Sequence, residues 1–296
     1  MGASPNPIMI NSSLSRPRFF ALALPLFAAL GLSAATAATT ITFDGQTSLD
    51  SAFPSDSRTV IGNTSSVTLL DDPDQVSLYA ANSANGIATR VTLYSATSFS
   101  DSLDFVSAGL ALTFDDVRLG FASTGNTNNG RFGLSSTATG ALGSTANAIY
   151  FQINRADSTL SLVQSVNGTL TTLNTWDNTS LGSAYNNYTS LTLTLTATTW
   201  AVSGTAQRTD GSKTTTFSGS GSLGVTWTSQ TWGEDTFIGL EANQTNAGDS
   251  ARRSTTLNVG TITATSAIPE PHTAALGAGA ACLLLAGWLR RRRGLS

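Results

Sequence analysis

The chain has 296 residues, 11% of them charged, with 27 Gly, 1 Cys, 1 His and a formal net charge of −3. Between Thr39 and Ile268 nine basic residues stand against seventeen acidic ones, a balance of −8. An acidic body lacks the basic stripe that meets phosphates, which excludes a nucleic-acid binder. One cysteine excludes a disulfide framework and any multi-cysteine zinc site.

At the front, Arg16-Pro17-Arg18 precedes an uncharged run from Phe19 to Leu32, then Ser33-Ala34-Ala35-Thr36-Ala37-Ala38. A positive n-region, an apolar stretch and a small-residue end describe a secretory signal peptide over 1–38, cut after Ala37 or Ala38. Met9 as the start would leave an n-region of more ordinary length. The body is therefore expected to leave the cytoplasm through the Sec export machinery.

The body, 39–267, is dominated by Thr, Ser, Asn, Gly and Ala. Thr and the branched or aromatic residues favour strands, while Gly, Asn and Asp mark turns. Strands are predicted over Thr40–Phe43, Val67–Leu70, Val76–Ala80, Ile87–Tyr94, Phe105–Phe114, Val117–Phe121, Arg131–Leu134 and Ala148–Asn154. Next, Thr159–Val166 and Thr169–Asn174 flank Asn167-Gly168, a pair suited to the positive φ of a type I′ hairpin turn. Ser190-Leu191-Thr192-Leu193-Thr194-Leu195-Thr196 alternates without a fault, as a half-buried strand requires. Ala201–Thr209 and Ser212–Phe217 flank Asp210-Gly211, a second hairpin of the same kind. Thr236–Ala242 and Thr255–Thr265 complete the strands, and no segment has the pattern of an amphipathic helix. Many short strands between turn signals, with no charged or Pro-rich linker, predict one all-β, antiparallel two-sheet sandwich of the jelly-roll type. The body is long enough to bury its own core.

At the back, Ile268-Pro269-Glu270-Pro271 precedes an uncharged stretch from Thr273 to Leu289 and then four arginines. As a helix that stretch is about 25 Å long, slightly short of a bilayer core of about 30 Å. The arginines are expected to stay cytoplasmic, which puts the body outside and agrees with the signal peptide. The order Pro-Glu-Pro, short apolar transmembrane helix, arginine cluster resembles the PEP-CTERM sorting signal, here over 268–296. That resemblance implies export by a Gram-negative bacterium, transient inner-membrane anchoring, and cleavage near the motif by an exosortase protease. Release to the cell surface or an exopolysaccharide matrix follows. Pro269, Glu270 and Pro271 would be the recognition motif and Arg290, Arg291, Arg292 and Arg293 the retention signal. His272 and Cys282 lie inside this signal, so the body has neither residue type.

Thr40-Ile41-Thr42-Phe43-Asp44-Gly45, Ala148-Ile149-Tyr150-Phe151-Gln152-Ile153-Asn154 and Phe237-Ile238-Gly239-Leu240-Glu241-Ala242 resemble phrases of the concanavalin A-like lectin/glucanase (laminin-G-like) jelly roll. The glucanases of that superfamily carry a Glu-x-Asp-x-x-Glu or Glu-x-Asp-x-Glu strand, and neither occurs here. Glycoside hydrolysis needs two carboxyls on one site, and the nearest candidates are Glu234 and Glu241. Their odd separation sends them to opposite faces of a continuous strand. Without a histidine base or a Gly-x-Ser-x-Gly elbow, a serine hydrolase is disfavoured. Gly219-Ser220-Gly221-Ser222-Leu223-Gly224 matches a dinucleotide fingerprint but leads into the strand-like Val225-Thr226-Trp227-Thr228, not a helix.

Asp71, Asp72 and Asp74 cluster in an expected loop and are candidate ligands for a structural calcium ion, which takes six to eight oxygens; ordinary solvated turn acids are the alternative. Asp115-Asp116 forms another acidic pair. For carbohydrate, Trp176, Tyr185 and Tyr188 are candidates because they fall in an expected long loop after the first hairpin, and binding residues concentrate on loops. Trp227 and Trp232 flank another expected loop, Asn126, Asn128 and Asn129 form a polar one, and Trp200 reads as core.

The expected function is that of an exported, exosortase-processed surface or matrix protein, non-enzymatic and associated with exopolysaccharide. Its expected partners are the exosortase, the Sec machinery, the inner membrane transiently and a polysaccharide. A structural or adhesive matrix protein without sugar affinity, and a divergent glycan hydrolase or lyase, remain as alternatives.

Overall fold

A computed structural model describes residues 38–71, 74–81, 88–97, 103–121, 128–154, 159–177, 187–208, 210–244 and 254–266. The expected signal peptide up to residue 37 and the whole sorting signal, Pro269-Glu270-Pro271 and Arg290 to Arg293 included, lie outside these residues. So do Asp72, Asn126 and Tyr185. Among the described residues no helix is long and apolar enough to cross a membrane.

The elements follow the alternation of the sequence. In order they are β1 Ala38–Ile41, α1 Gln46–Ala52, β2 Arg58–Ile61, β3 Ser66–Asp71, β4 Asp74–Ala81, β5 Thr89–Tyr94, α2 Phe105–Ala108, β6 Leu110–Phe121, β7 Asn128–Ser135 and β8 Ala148–Asn154. β9 Thr159–Val166, β10 Thr169–Asp177, β11 Asn187–Leu195, β12 Thr199–Gln207, β13 Thr214–Ser222, α3 Ser229–Trp232, β14 Phe237–Gln244, β15 Ser254–Val259 and β16 Ile262–Ser266 complete them. A nine-stranded antiparallel sheet runs β13-β12-β11-β6-β15-β4-β3, with β16 beside β6 and β1 beside β16. A seven-stranded antiparallel sheet runs β10-β9-β8-β7-β14-β5-β2. The two pack face to face as a sandwich.

Each strand turns every second residue into the space between the sheets. In β11, Leu191, Leu193 and Leu195 are buried while Ser190, Thr192 and Thr194 lie half-exposed on the outer face. Phe132 of the seven-stranded sheet, tilted against its neighbour Phe151 at 5.3 Å, meets Phe114 of the other sheet edge to face at 5.0 Å. Burial of this kind stabilises by about 1.5–3 kcal/mol per large apolar side chain and decides which face each strand shows to the core.

The first hairpin turns as expected: Asn167 (φ 50) and Gly168 (φ 81) carry the positive φ of a type I′ turn, and Val166 pairs with Thr169. The second is wider than expected. Strand pairing stops at Gln207↔Thr214, and the Gly211 amide donates to Arg208 O at 2.8 Å. Of the Asp210-Gly211 pair only the glycine, at φ 71, enters the positive region. Phe105–Phe114 and Val117–Phe121 also differ from expectation. Phe105–Ala108 is a helical turn, because Asp104 caps it by accepting from the Ser107 amide at 3.2 Å. β6 then continues through Asp116, whose φ of 52 makes a local break rather than an end. Opposite that break the last predicted strand divides into β15 and β16, where the Gly260 amide donates to Asp115 O at 3.0 Å. α1, α2 and α3 are too short to show a helical period in sequence, and β2, which was not predicted, has only four residues.

Candidate functional site

The outer face of the seven-stranded sheet carries three cross-strand rows. The first is Tyr94–Gly239–Gly133–Tyr150–Val163, the second Thr92–Glu241–Arg131–Gln152–Ser161, and the third Arg90–Asn243–Asn129–Asn154–Thr159. The first row is roofed. The connection 136–147 between β7 and β8 folds back over the sheet and is closed at its base by the Ser136 amide donating to Asn147 O at 3.0 Å. Leu142 sits beneath it, fully buried against Tyr94, Tyr150, Ala148, Val163 and Phe237. The two glycines between the two tyrosines make the room. A Cβ on Gly239 would lie 2.9 Å from Leu142, and one on Gly133 would lie 2.4 Å from the Ile149 carbonyl. Burial pushes the Tyr94 hydroxyl up to about 12 and raises that of Tyr150 as well.

The second row is held from below. Glu241 is 0% exposed; its carboxylate accepts from Arg131 Nη1 at 2.5 Å and from the Leu142 amide at 2.7 Å. Arg131 Nε donates to Gln152 Oε1 at 2.7 Å, and Gln152 Nε2 donates to Asn154 Oδ1 at 2.9 Å. A buried acid thus orients a guanidinium, which orients an amide, which orients a second amide in the third row. Gly143 lies directly over the guanidinium, so close that a Cβ there would fall 2.4 Å from Arg131 Cζ. The third row is half-exposed along its whole length, and among the described residues Arg90 Nε and Asn129 Oδ1 have no hydrogen-bond partner.

This surface offers alternating donors and acceptors held in register by the sheet. Beyond the roof it presents Asn129, Gln152, Asn154, Asn243, Arg90 and the hydroxyl of Thr159. Amides and guanidinium of this kind can bond to hydroxyls or carboxylates of a ligand lying across the strands. Glu241 has no room to act as an acid or base on such a ligand, since the roof and Arg131 occupy both of its oxygens. Glu234 lies in an exposed loop before β14, whereas Glu241 is buried within that strand.

The structure corrects several placements. Trp176 is in β10, not a loop; it is 8% exposed, its indole donates to Ser218 O at 3.1 Å, and its ring packs on Phe217. Tyr188 lies in β11 at 1% exposure, edge-on to Phe217. Neither ring presents a face to solvent. Trp227 and Trp232 are buried edge to face at 5.0 Å, and Trp200 is core, as its place at a strand end indicated. Asn128 and Asn129 belong to β7 rather than a loop, with Asn128 facing inward and Asn129 outward. Asp71 and Asp74 are opposite each other at the exposed end of the β3–β4 hairpin, and among the described residues no group of three metal-ligating side chains forms. Arg90, Arg131, Gln152, Asn154 and Asn243 were not singled out from sequence. Their signal is a polar residue at every second position of strands whose other positions are apolar, as in Tyr150-Phe151-Gln152-Ile153-Asn154.

No family model matches the chain, and no curated protein matches it. Solved structures of similar course include peanut lectin with a nine-residue peptide, at 13% identity and a TM-score of 0.45, over 78% of this chain and 97% of that one. The metal-free lectin I-B4 from Griffonia simplicifolia is similar at 12% identity and 0.47, over 78% and 100%. A legume lectin-like domain from Entamoeba histolytica is similar at 10% identity and 0.44, over 76% and 95%.

Proposed function

We propose that this is an exported, non-enzymatic protein whose β-sandwich holds a polysaccharide against the outer face of its seven-stranded sheet. The observation that carries the reading is the third row, Arg90–Asn243–Asn129–Asn154, with Gln152 and Arg131 behind it. Four amides and an arginine are set at cross-strand spacing and half-exposed. A sugar chain offers hydroxyls in repeating array and suits such a face. Arg90, the charged member of the row that Glu241 does not engage, adds a place for a uronate carboxylate.

The termini supply the address in this proposal. The N-terminal segment directs export. Pro269-Glu270-Pro271, the apolar stretch after it and Arg290 to Arg293 hold the protein in the inner membrane until an exosortase cuts it, after which it joins the surface or matrix. The non-enzymatic reading draws on a body without His or Cys and on a strand acid sealed against Arg131. A structural calcium ion at Asp71, Asp72 and Asp74 is the remaining proposal from the sequence, tested by adding a chelator.

The test is retention of the protein on immobilised polysaccharides, neutral and uronate-containing. The double variant Asn129→Ala/Asn154→Ala should lose retention at unchanged thermal stability, while Trp176→Phe should keep it. Equal retention by the double variant and the parent would overturn the site. Shortened glycan in the same tubes would overturn the non-enzymatic reading.

A further inference from the structure

Among the described residues β13, Thr-Thr-Thr-Phe-Ser-Gly-Ser-Gly-Ser, is one free edge of the nine-stranded sheet. Exposed strand edges are templates for pairing, and proteins ordinarily blunt them with charge, proline, bulges or short length. The other described edges do so. β1 and β2 have four residues each, β3 ends on Asp71, and β10 breaks register between Thr172 and Asn174 and ends on Asp177. β13 carries no charge and no proline, and its register with β12 runs unbroken from Gln207↔Thr214 to Thr199↔Ser222.

The backbone bonds at its two ends set which groups face outward. The Arg208 amide donates to Lys213 O, and the Leu223 amide donates to Thr198 O, each at 2.9 Å. Bonded and non-bonded pairs alternate along an antiparallel ladder. Between these ends, then, Thr215, Phe217, Gly219 and Gly221 exchange bonds with β12. Thr214, Thr216, Ser218, Ser220 and Ser222 turn their N–H and C=O groups to the free edge. The Trp176 indole donates to Ser218 O from beneath, which leaves that carbonyl its second lone pair.

We propose that this edge pairs antiparallel with the same edge of a second copy of the chain, about a two-fold axis at Ser218. The sequence is self-complementary in that register. On the outer face Thr216 would meet Ser220 of the second copy, Thr214 would meet Ser222, and Ser218 would meet itself, all hydroxyl pairs. On the inner face Phe217 lies over Gly204 of its own chain, and the Trp176 and Trp200 rings fill the space at Gly219 and Gly221, so the pairing there rests on the backbone bonds. No like charges are opposed within the paired segment. The outer-face row Thr40–Thr263–Thr113–Thr192–Ser203–Ser218 would then run on into the second copy. Because the bodies are acidic overall, added salt should strengthen the association. This inference is independent of the polysaccharide reading.

The test uses the full chain in a mild nonionic detergent with Cys282→Ser, so that an introduced thiol is the only one. Directly opposed, hydrogen-bonded positions lie about 5.5 Å apart at Cα, within reach of a disulfide. Under mild oxidation Ser218→Cys should give a linked dimer. Thr216→Cys alone should not, and an equimolar mixture of Thr216→Cys and Ser220→Cys proteins should. Thr171→Cys, on β10, is the collision control. A second variant, Ser218→Lys, sets two ammonium groups against each other and should abolish the dimer in sedimentation velocity without lowering Tm. No link at Ser218, or a link at Thr171 of equal yield, overturns the proposal, as does a dimer that survives Ser218→Lys.

Discussion

Replacing Glu241 by alanine removes the anchor of the outer-face network. The carboxylate is fully buried and takes a hydrogen bond from the Leu142 amide and an ion pair from Arg131. Its loss leaves a largely enclosed guanidinium without its counter-charge and a buried N–H without an acceptor. Breaking a buried pair from one side costs about 3–5 kcal/mol. In a domain of this size that corresponds to a fall in Tm of roughly 10 °C. The double variant Arg131→Met/Glu241→Leu removes both charges; the main cost left is the orphaned Leu142 amide, at about 1–3 kcal/mol. The Thr92 hydroxyl loses only a long bond, and Gln152 is half-exposed. Urea unfolding followed by tryptophan fluorescence, at constant slope, measures all three proteins. The double variant should be more stable than the single one by about 2 kcal/mol. A Glu241→Ala protein within about 1 kcal/mol of the parent would refute the reasoning, because no buried pair in this geometry should be that easily dispensed with.

Further outcomes follow from the same geometry. Gly133→Ala places a Cβ against the Ile149 carbonyl and Tyr150 Cα; neither is the end of a flexible side chain, so the variant should unfold at markedly lower urea. Asp116, although exposed, has its carboxyl raised above the ordinary aspartate value, first by partial desolvation and then by the Asp115 charge beside it. Its favourable contribution is complete below the unfolded value and is lost as pH rises through the folded one. Asp116→Asn, which tolerates the same positive φ, should therefore raise Tm at pH 7 and leave it unchanged at pH 3. Tyr94 should ionise only near pH 12 in a spectrophotometric titration of the folded protein. A Leu142→Ala variant, with the roof loosened, should bring that step toward the ordinary tyrosine value.

What the sequence made legible were features decided locally. The leucines at 191, 193 and 195 fix a face by alternation, and Asn167-Gly168 fixes a turn by φ alone. The misplaced residues are those decided by tertiary contact. Trp176 and Tyr188 follow polar, turn-rich stretches and read as loop residues, yet both are drawn under β13, where Gly219 and Gly221 leave room for the Trp176 and Trp200 rings. The polar rows escaped notice because each strand contributes only one or two members, and their adjacency depends on the order β9-β8-β7-β14-β5. That order places Glu241 beside Arg131, a pair separated by more than a hundred residues in sequence. The roof over 136–147 has no motif at all. Its place is set by one leucine and by glycines on two strands.

The most direct test of the central claim is a titration of the isotopically labelled protein with a soluble oligosaccharide, followed through the side-chain NH2 signals. Those of Asn129, Gln152, Asn154 and Asn243 should shift together and saturably, with the Gln207 signal on the opposite sheet unmoved. Saturable shifts confined to the nine-stranded sheet, with these four amides still, would contradict the account.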